Sequence, residues 1–233
     1  MLMNKLFKDI RQGNVEAVRK AIEKKTQVVN EIYTGSAPKK DVAQSPLQVA
    51  LKCAEFEIID ILLENGADPD FMEDPKLVPP HSRCVPVLSD AIKYSMESLR
   101  YSGSQHYEES DKYVKIVERL LELGADPNKR VFESVDSPNN FSPLMVLLGS
   151  GNGTLKQPRM EREPQSYEVA KRNIFAILDL LTRYGVNILD CLDNEIWCEQ
   201  SCRKAYLDPF SGEGVDVNRA IRVVLQEYFG KKN

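Results

Sequence analysis

The sequence predicts an all-α protein built from about five stacked helix pairs, and three observations lead there. A glycine mark recurs as Glu64-Asn65-Gly66-Ala67-Asp68-Pro69-Asp70, Glu122-Leu123-Gly124-Ala125-Asp126-Pro127-Asn128 and Arg183-Tyr184-Gly185-Val186-Asn187-Ile188. An apolar stripe precedes each mark: Ile58-Ile59-Ile61-Leu62-Leu63, Val114-Ile116-Val117-Leu120-Leu121 and Ile174-Ile177-Leu178-Leu180-Leu181. The three- and four-residue spacing is that of a helix burying one face. Upstream stands an opener: Ser45-Pro46-Leu47-Gln48-Val49-Ala50, Pro86-Val87-Leu88-Ser89-Asp90-Ala91 and Ser142-Pro143-Leu144-Met145-Val146-Leu147. Proline suits the first helical position, and the leucine starts a buried stripe.

Composition agrees with a packed chain. The 233 residues are 42% hydrophobic, with 31 basic and 35 acidic side chains and a formal charge of −4. That balance argues against disorder and against a general nucleic-acid binder. No apolar run nears the roughly 20 residues of a membrane span. The start, Met1–Lys8, has frequent charges and no long apolar stretch, so no secretory signal is expected. Cys53, Cys84, Cys191, Cys198 and Cys202 are odd in number and irregularly spaced, which fits reduced thiols and a cytoplasmic location.

Each element has a local reason. Leu6-Phe7 through Val18 reads as a first helix pair turning at Gly13-Asn14. Gly66, Gly124 and Gly185 stand where a left-handed cap excludes a side chain. Residues 194–229 read as a last pair, with Val217, Ala220, Ile221, Val224, Leu225 and Tyr228 on one stripe. Gly214-Val215-Asp216-Val217-Asn218 starts that stripe's helix or makes another finger; the helix start is favoured.

These marks resemble the ankyrin repeat, with its Thr-Pro-Leu-His-x-Ala first helix, second helix, Gly-Ala-Asp cap and finger. The resemblance is strong over Ser45–Asp70, good over Lys112–Asn128 and weaker elsewhere. It implies one ankyrin-repeat domain over 1–233, with approximate repeats 3–32, 43–72, 85–130, 141–189 and a capping pair at 194–230. In the family the first-helix leucine and the capping glycine lie 19 residues apart, as Leu47 and Gly66 do. Leu88 to Gly124 is 36 and Leu144 to Gly185 is 41. Two insertions are therefore expected between helices, near 95–111 and 149–166, projecting as surface loops. The finger loops are long as well.

Catalytic chemistry is sparse. His81 and His106 fall in expected loops, and His81 beside Cys84 is more simply a loop pair than a nucleophile and base. Gly149-Ser150-Gly151-Asn152-Gly153-Thr154-Leu155-Lys156 lacks the ending of a phosphate loop and reads as a plain loop. Cys198 and Cys202, four apart on an expected helix, would share a face, but no second pair completes a zinc set. Trp197 is expected to pack over the end of the core, and the acidic residues around it to form a solvated cap. No metal and no cofactor are expected.

The resemblance implies a non-catalytic protein-binding module, monomeric on its own, using finger loops and inner helices. Inhibition of a dedicated protein partner is the favoured form. The alternatives are an adaptor joining two proteins and, with less support, an enzyme or ligand site built in the insertions. The expected partner-binding residues are Tyr33, Phe71, Met72 and Phe132 on the fingers, and Tyr101 and Tyr107 on the first insertion. Tyr94, Tyr113 and Phe141 are expected to pack.

Overall fold

The computed structural model describes residues 2–35, 38, 41–79, 82–101, 103–132, 141–157, 159–194, 196–197, 200–201, 207 and 219–231. The chain is helical. Its helices are α1 Leu2–Arg11, α2 Val15–Lys24, α3 Pro46–Lys52, α4 Phe56–Glu64, α5 Val87–Glu97, α6 Ser104–Glu122, α7 Pro143–Leu155, α8 Arg159–Arg162, α9 Pro164–Arg183, α10 Ile188–Asn194 and α11 Arg219–Gly230. Short 3₁₀ turns cover Thr26–Asn30 and Ser98–Arg100. One antiparallel ladder pairs β1, Ile196–Trp197, with β2, Gln200–Ser201. Contacts divide the chain into two compact units. The first holds the residues through Tyr94 together with Ile116–Pro143. The second holds Ser95–Lys115 and the residues from Leu144 onward.

Within the first unit, α1 packs on α2 and α3 on α4, while α1 also meets α3 and α2 meets α4. First helix thus lies on first helix and second on second. The same local chemistry builds each step. Ser45 and Gln48 form a capping box: the Ser45 hydroxyl accepts from the Gln48 amide, and the Gln48 side chain accepts in return, both at 3.2 Å. The turns joining α1 to α2 and α3 to α4 match bond for bond. Gly13 N–H donates to Ile10 and Asn14 N–H to Asp9; Ala54 N–H donates to Leu51 and Glu55 N–H to Ala50. Gly13 has φ 62° and Ala54 φ 56°, so an alanine holds a left-handed position that glycine fills one repeat earlier.

The three marked glycines end α4, α6 and α9 at φ 83°, 99° and 92°. Each donates to the carbonyl three residues back, and the next residue donates five back, as Ala67 to Leu62, Ala125 to Leu120 and Val186 to Leu181. That closes the last turn on its orphan carbonyls. A Cβ added at any of the three would meet nothing within 4 Å, so glycine is required there by backbone conformation and not by crowding.

The second unit departs from the expected surface loops. The segments near 95–111 and 149–166 are largely helical, because α6 begins at Ser104, α7 runs through Leu155 and α9 begins at Pro164. Ser98, Leu99, Ser110, Thr154, Leu155, Met160 and Ser166 are buried. Polar residues tolerate that interior because they pair with one another. Ser110 Oγ donates to the Ser95 carbonyl (2.6 Å) and accepts from Asn173 Nδ2 (2.8 Å), Ser98 Oγ donates to the same carbonyl, and Thr154 Oγ1 donates to the Met96 carbonyl (2.9 Å). The glycine-rich stretch at 149–156 is mostly helix, not loop. A Cβ on Gly151 would lie 3.2 Å from Ile174 Cδ1 and 3.3 Å from Ile221 Cδ1, so a bare backbone allows that close approach. His106 likewise lies in α6 rather than in a loop, with Nδ1 3.5 Å from Glu109 Oε2.

The region after Asn194 also differs from expectation. Ile196–Trp197 pair with Gln200–Ser201 in the β1–β2 ladder, so those four residues are not part of the helix expected over 194–229. Ile196 and Trp197 are a branched and an aromatic residue, types that favour strand pairing. Cys198, Cys202, His81 and the segment 214–218 lie outside the described residues, as does the Trp197 side chain. The stripe from Ala220 to Tyr228 is helical in α11, with Ile221, Val224, Leu225 and Tyr228 buried. Among the described residues no helix is long and apolar enough to cross a membrane.

Candidate functional site

The finger loops of the first unit offer the strongest candidate surface, and their bases are built from repeated polar joints. Asn30, closing the first repeat, accepts the Asp68 N–H on Oδ1 and donates through Nδ2 to the Gly66 carbonyl, both at 2.8 Å. Asp70, ending the second glycine mark, accepts the Asp126 N–H at 3.0 Å and Lys129 Nζ at 2.7 Å. One repeat thus ends in an Asn or Asp side chain that caps the aspartate amide opening the next finger. Sequence reasoning missed this joint. Its only signal is an Asn or Asp recurring at the end of the mark. Asp68 and Asp126 each also turn back onto the amide two residues on, at Asp70 and Asn128.

The first finger closes where Tyr33 N–H donates to Gln44 O (2.8 Å) and Tyr33 O accepts from Ala43 N–H (2.9 Å). The Tyr33 ring is turned inward, only 5% exposed, 5.0 Å from the Phe7 ring and under the Arg11 guanidinium. This corrects its assignment as a surface anchor. An aromatic at the base of a finger that folds back over the first helix pair is captured by the core.

Phe71 and Met72 start the second finger and are half-buried. The Phe71 carbonyl accepts the Val87 N–H at 3.0 Å, tying the two limbs together. Phe132 is also half-buried and exchanges both backbone hydrogen bonds with Cys84, at 2.8 and 2.9 Å, which joins the second finger to the third. Val131 N–H donates to Phe141 O, and Arg83 sits over the Phe141 ring, in keeping with a packing role for Phe141. An exposed large apolar side chain on the second finger was not anticipated. Leu77, 48% exposed, ends a tight turn in which its N–H donates to the Asp74 carbonyl. An apolar Leu77-Val78 pair between Pro75 and Pro79 in an otherwise polar tip is the signal that could have found it.

In the second unit, Tyr101 is 65% exposed, with its ring 5.5 Å from that of His106. Tyr107 is half-buried, and its hydroxyl is held 2.7 Å from Ser166 Oγ, which donates to Glu163. Tyr107 is therefore part of the packing between α6 and α9, whereas Tyr101 is largely exposed. Tyr113 is buried, as expected.

Beneath the fingers runs a buried chain of polar groups. Asp41, fully buried, takes Arg11 on one oxygen and Lys52 Nζ on the other at 3.1 Å. Lys52 also donates to Gln44, whose Nε2 donates to Glu73 Oε1 at 3.2 Å. Glu73 Oε2 accepts the Val85 N–H at 2.7 Å, and the Gln48 amide donates to the Val85 carbonyl at 2.8 Å. Asp90, on α5, completes the chain. Burial pushes its carboxyl up to about 7, with the Glu73 charge adding to the effect, and burial raises Glu73 as well. Burial and the neighbouring Glu73 and Asp74 charges push the Cys84 thiol up to about 11, so it carries little thiolate. Among the described residues no three His, Cys, Asp or Glu side chains gather as a metal site.

No family model matches the chain, and no curated protein matches it in sequence.

Proposed function

We propose that the chain is an ankyrin-type solenoid and a non-catalytic protein-binding module that holds one dedicated protein partner on the finger edge of its first unit. The observation that carries this reading is the repeated joint at Asn30 and Asp70, which fixes successive fingers at their bases, while Leu77 on the second finger turns an apolar side chain to solvent. A surface ordered before binding loses little conformational entropy on association. Leu77, Phe71, Met72 and Phe132 are the anchors of that edge, and the buried chain below them is support. The high thiol pKa of Cys84 disfavours the nucleophile alternative.

The test compares the immobilised wild-type chain, a Leu77→Ser/Phe132→Ser variant and a Tyr101→Ser variant, reading the bound proteins and then their affinities. The expected result is one stoichiometric partner, kept by Tyr101→Ser and weakened about a thousandfold by the finger variant, since two anchors each contribute about 2 kcal/mol. A partner lost only from Tyr101→Ser would move the interface to the second unit and sink the finger reading. Several partners bound at once would replace a dedicated partner with an adaptor role.

A further inference from the structure

Gln44 stands on the returning limb of the first finger, where its backbone carbonyl accepts the Tyr33 N–H at 2.8 Å. Its side chain reaches out of that finger. Lys52 Nζ donates to Gln44 Oε1, and Gln44 Nε2 donates to Glu73 Oε1 of the second finger at 3.2 Å. A lysine ammonium can only donate, so it fixes the amide oxygen on its own side and turns the amide nitrogen toward the carboxylate. Glu73 is 3% exposed, and its other oxygen accepts the Val85 N–H at 2.7 Å. Glu73 therefore ties one limb of the second finger to the other, and the first finger reaches that tie through Gln44.

The bonds form one line. Asp41 of the first finger holds Arg11 of α1 and Lys52 of α3, the latter at 3.1 Å. From Lys52 the line runs through the Gln44 amide to the Glu73 carboxylate and on to the Val85 N–H. A cation, a neutral amide, an anion and a backbone donor follow in that order. Each bond polarises the next, and low local dielectric strengthens the series. The joint at Asn30 meets the same limb earlier, at Gly66 and Asp68. Gln44 meets it beside Phe71 and Met72, where the proposed anchors begin. Without the Gln44 amide, Glu73 and Lys52 would each lose a charge-assisted bond, so parting the two finger bases is costly on both sides.

We propose that Gln44 is a strap that couples the first two fingers, so that their bases open and close as one element. Gln44 is a positioning residue: it acts on the second finger through Glu73 and takes its own orientation from Lys52. A partner seated on the second finger then also orders the base of the first, and the coupling is reciprocal. That use in binding rests on the finger-edge reading. The coupling itself does not, because it belongs to hydrogen bonds within the free chain.

Amide hydrogen exchange of the full chain at one pH tests the strap without any partner, so its outcome is independent of the capture experiment. In Gln44→Leu, protection at Val85 should fall about tenfold, while Ala125 and Val186, bonded at helix caps, stay unchanged. A Val85 amide that keeps its protection, or an equal loss at all three amides, overturns the coupling. Lys52→Met supplies the readout that a merely local role would not move. It alters a side chain of α3, yet it should lower protection at Val85 about threefold, and it should add nothing at Val85 in the Gln44→Leu background. An effect of Lys52→Met that persists in that background shows a route other than Gln44 and overturns the strap. Should Lys52→Met fail to fold, the Gln44→Leu chain alone decides between the same two results at Val85.

Discussion

The two units bury polar groups in different ways. The first places charged side chains at loop bases, where Arg11, Asp41, Lys52 and Glu73 brace the fingers. The second buries Arg222 and, between helices, hydroxyls and an amide, where Ser110, Asn173 and Thr154 satisfy one another or a backbone carbonyl. Charge buried at a loop base is costly unless paired, so each of these groups is held by a partner. Neutral groups buried between helices do not titrate and serve to fix one packing. The first arrangement ties loops to the helices beneath them, and the second fixes helices against one another.

The comparison breaks most visibly if residues 98–110 are removed. The deletion takes away Leu99, Ser110 and the first turns of α6, so cooperative unfolding of the second unit should be lost, which thermal and urea melts followed by circular dichroism would reveal. A deletion that leaves cooperativity intact would return the segment to the class of surface loop. Next is Asp41→Ala, which strands Arg11 and Lys52 around a vacated buried carboxylate. The cost should be about 3 kcal/mol, measured by urea unfolding.

The pH response sharpens the contrast. Asp90 has its carboxyl raised to about 7 in the folded chain, so its proton stabilises the fold fully below the unfolded value near 4. That contribution is lost as pH rises from about 4 to about 7, and amounts to at most about 3 kcal/mol after allowance for relaxation around the site. Stability at pH 8 should therefore increase in Asp90→Asn relative to wild type, and the difference should shrink at pH 5. Smaller effects test the punctuation of the repeats. Gly124→Val should cost about 1–2 kcal/mol through left-handed strain alone, because no neighbour crowds the position. Ala54→Gly should be neutral or stabilising by up to about 1 kcal/mol, relieving the strain at φ 56° against a gain in unfolded-chain entropy.

The local rules were legible because they are local. Pro46, Pro143 and the glycines at 66, 124 and 185 act through backbone geometry within a few residues, and their helix starts and ends stand where the sequence puts them. The same reasoning failed at 95–111 and 149–166. Spacing measured against a repeat reveals extra residues but not whether they lengthen a helix or leave it. Ser110 and Asn173 look like surface residues in the chain and become interior only because they meet across 63 residues. Tyr33 failed for a related reason, since nothing nearby in sequence announces that Phe7 and Arg11 will cover its ring.

The sequence by itself therefore determined the helical class, the helix pairs of the first unit, the capping glycines and the long fingers. Those follow from periodicity, proline and glycine conformation, and counting. Only the tertiary structure decided which aromatics face outward, which polar residues are buried, and that Asp90 and Glu73 share one interior. A side chain's solvation depends on what the fold brings against it from distant parts of the chain, and its charge state follows from that solvation.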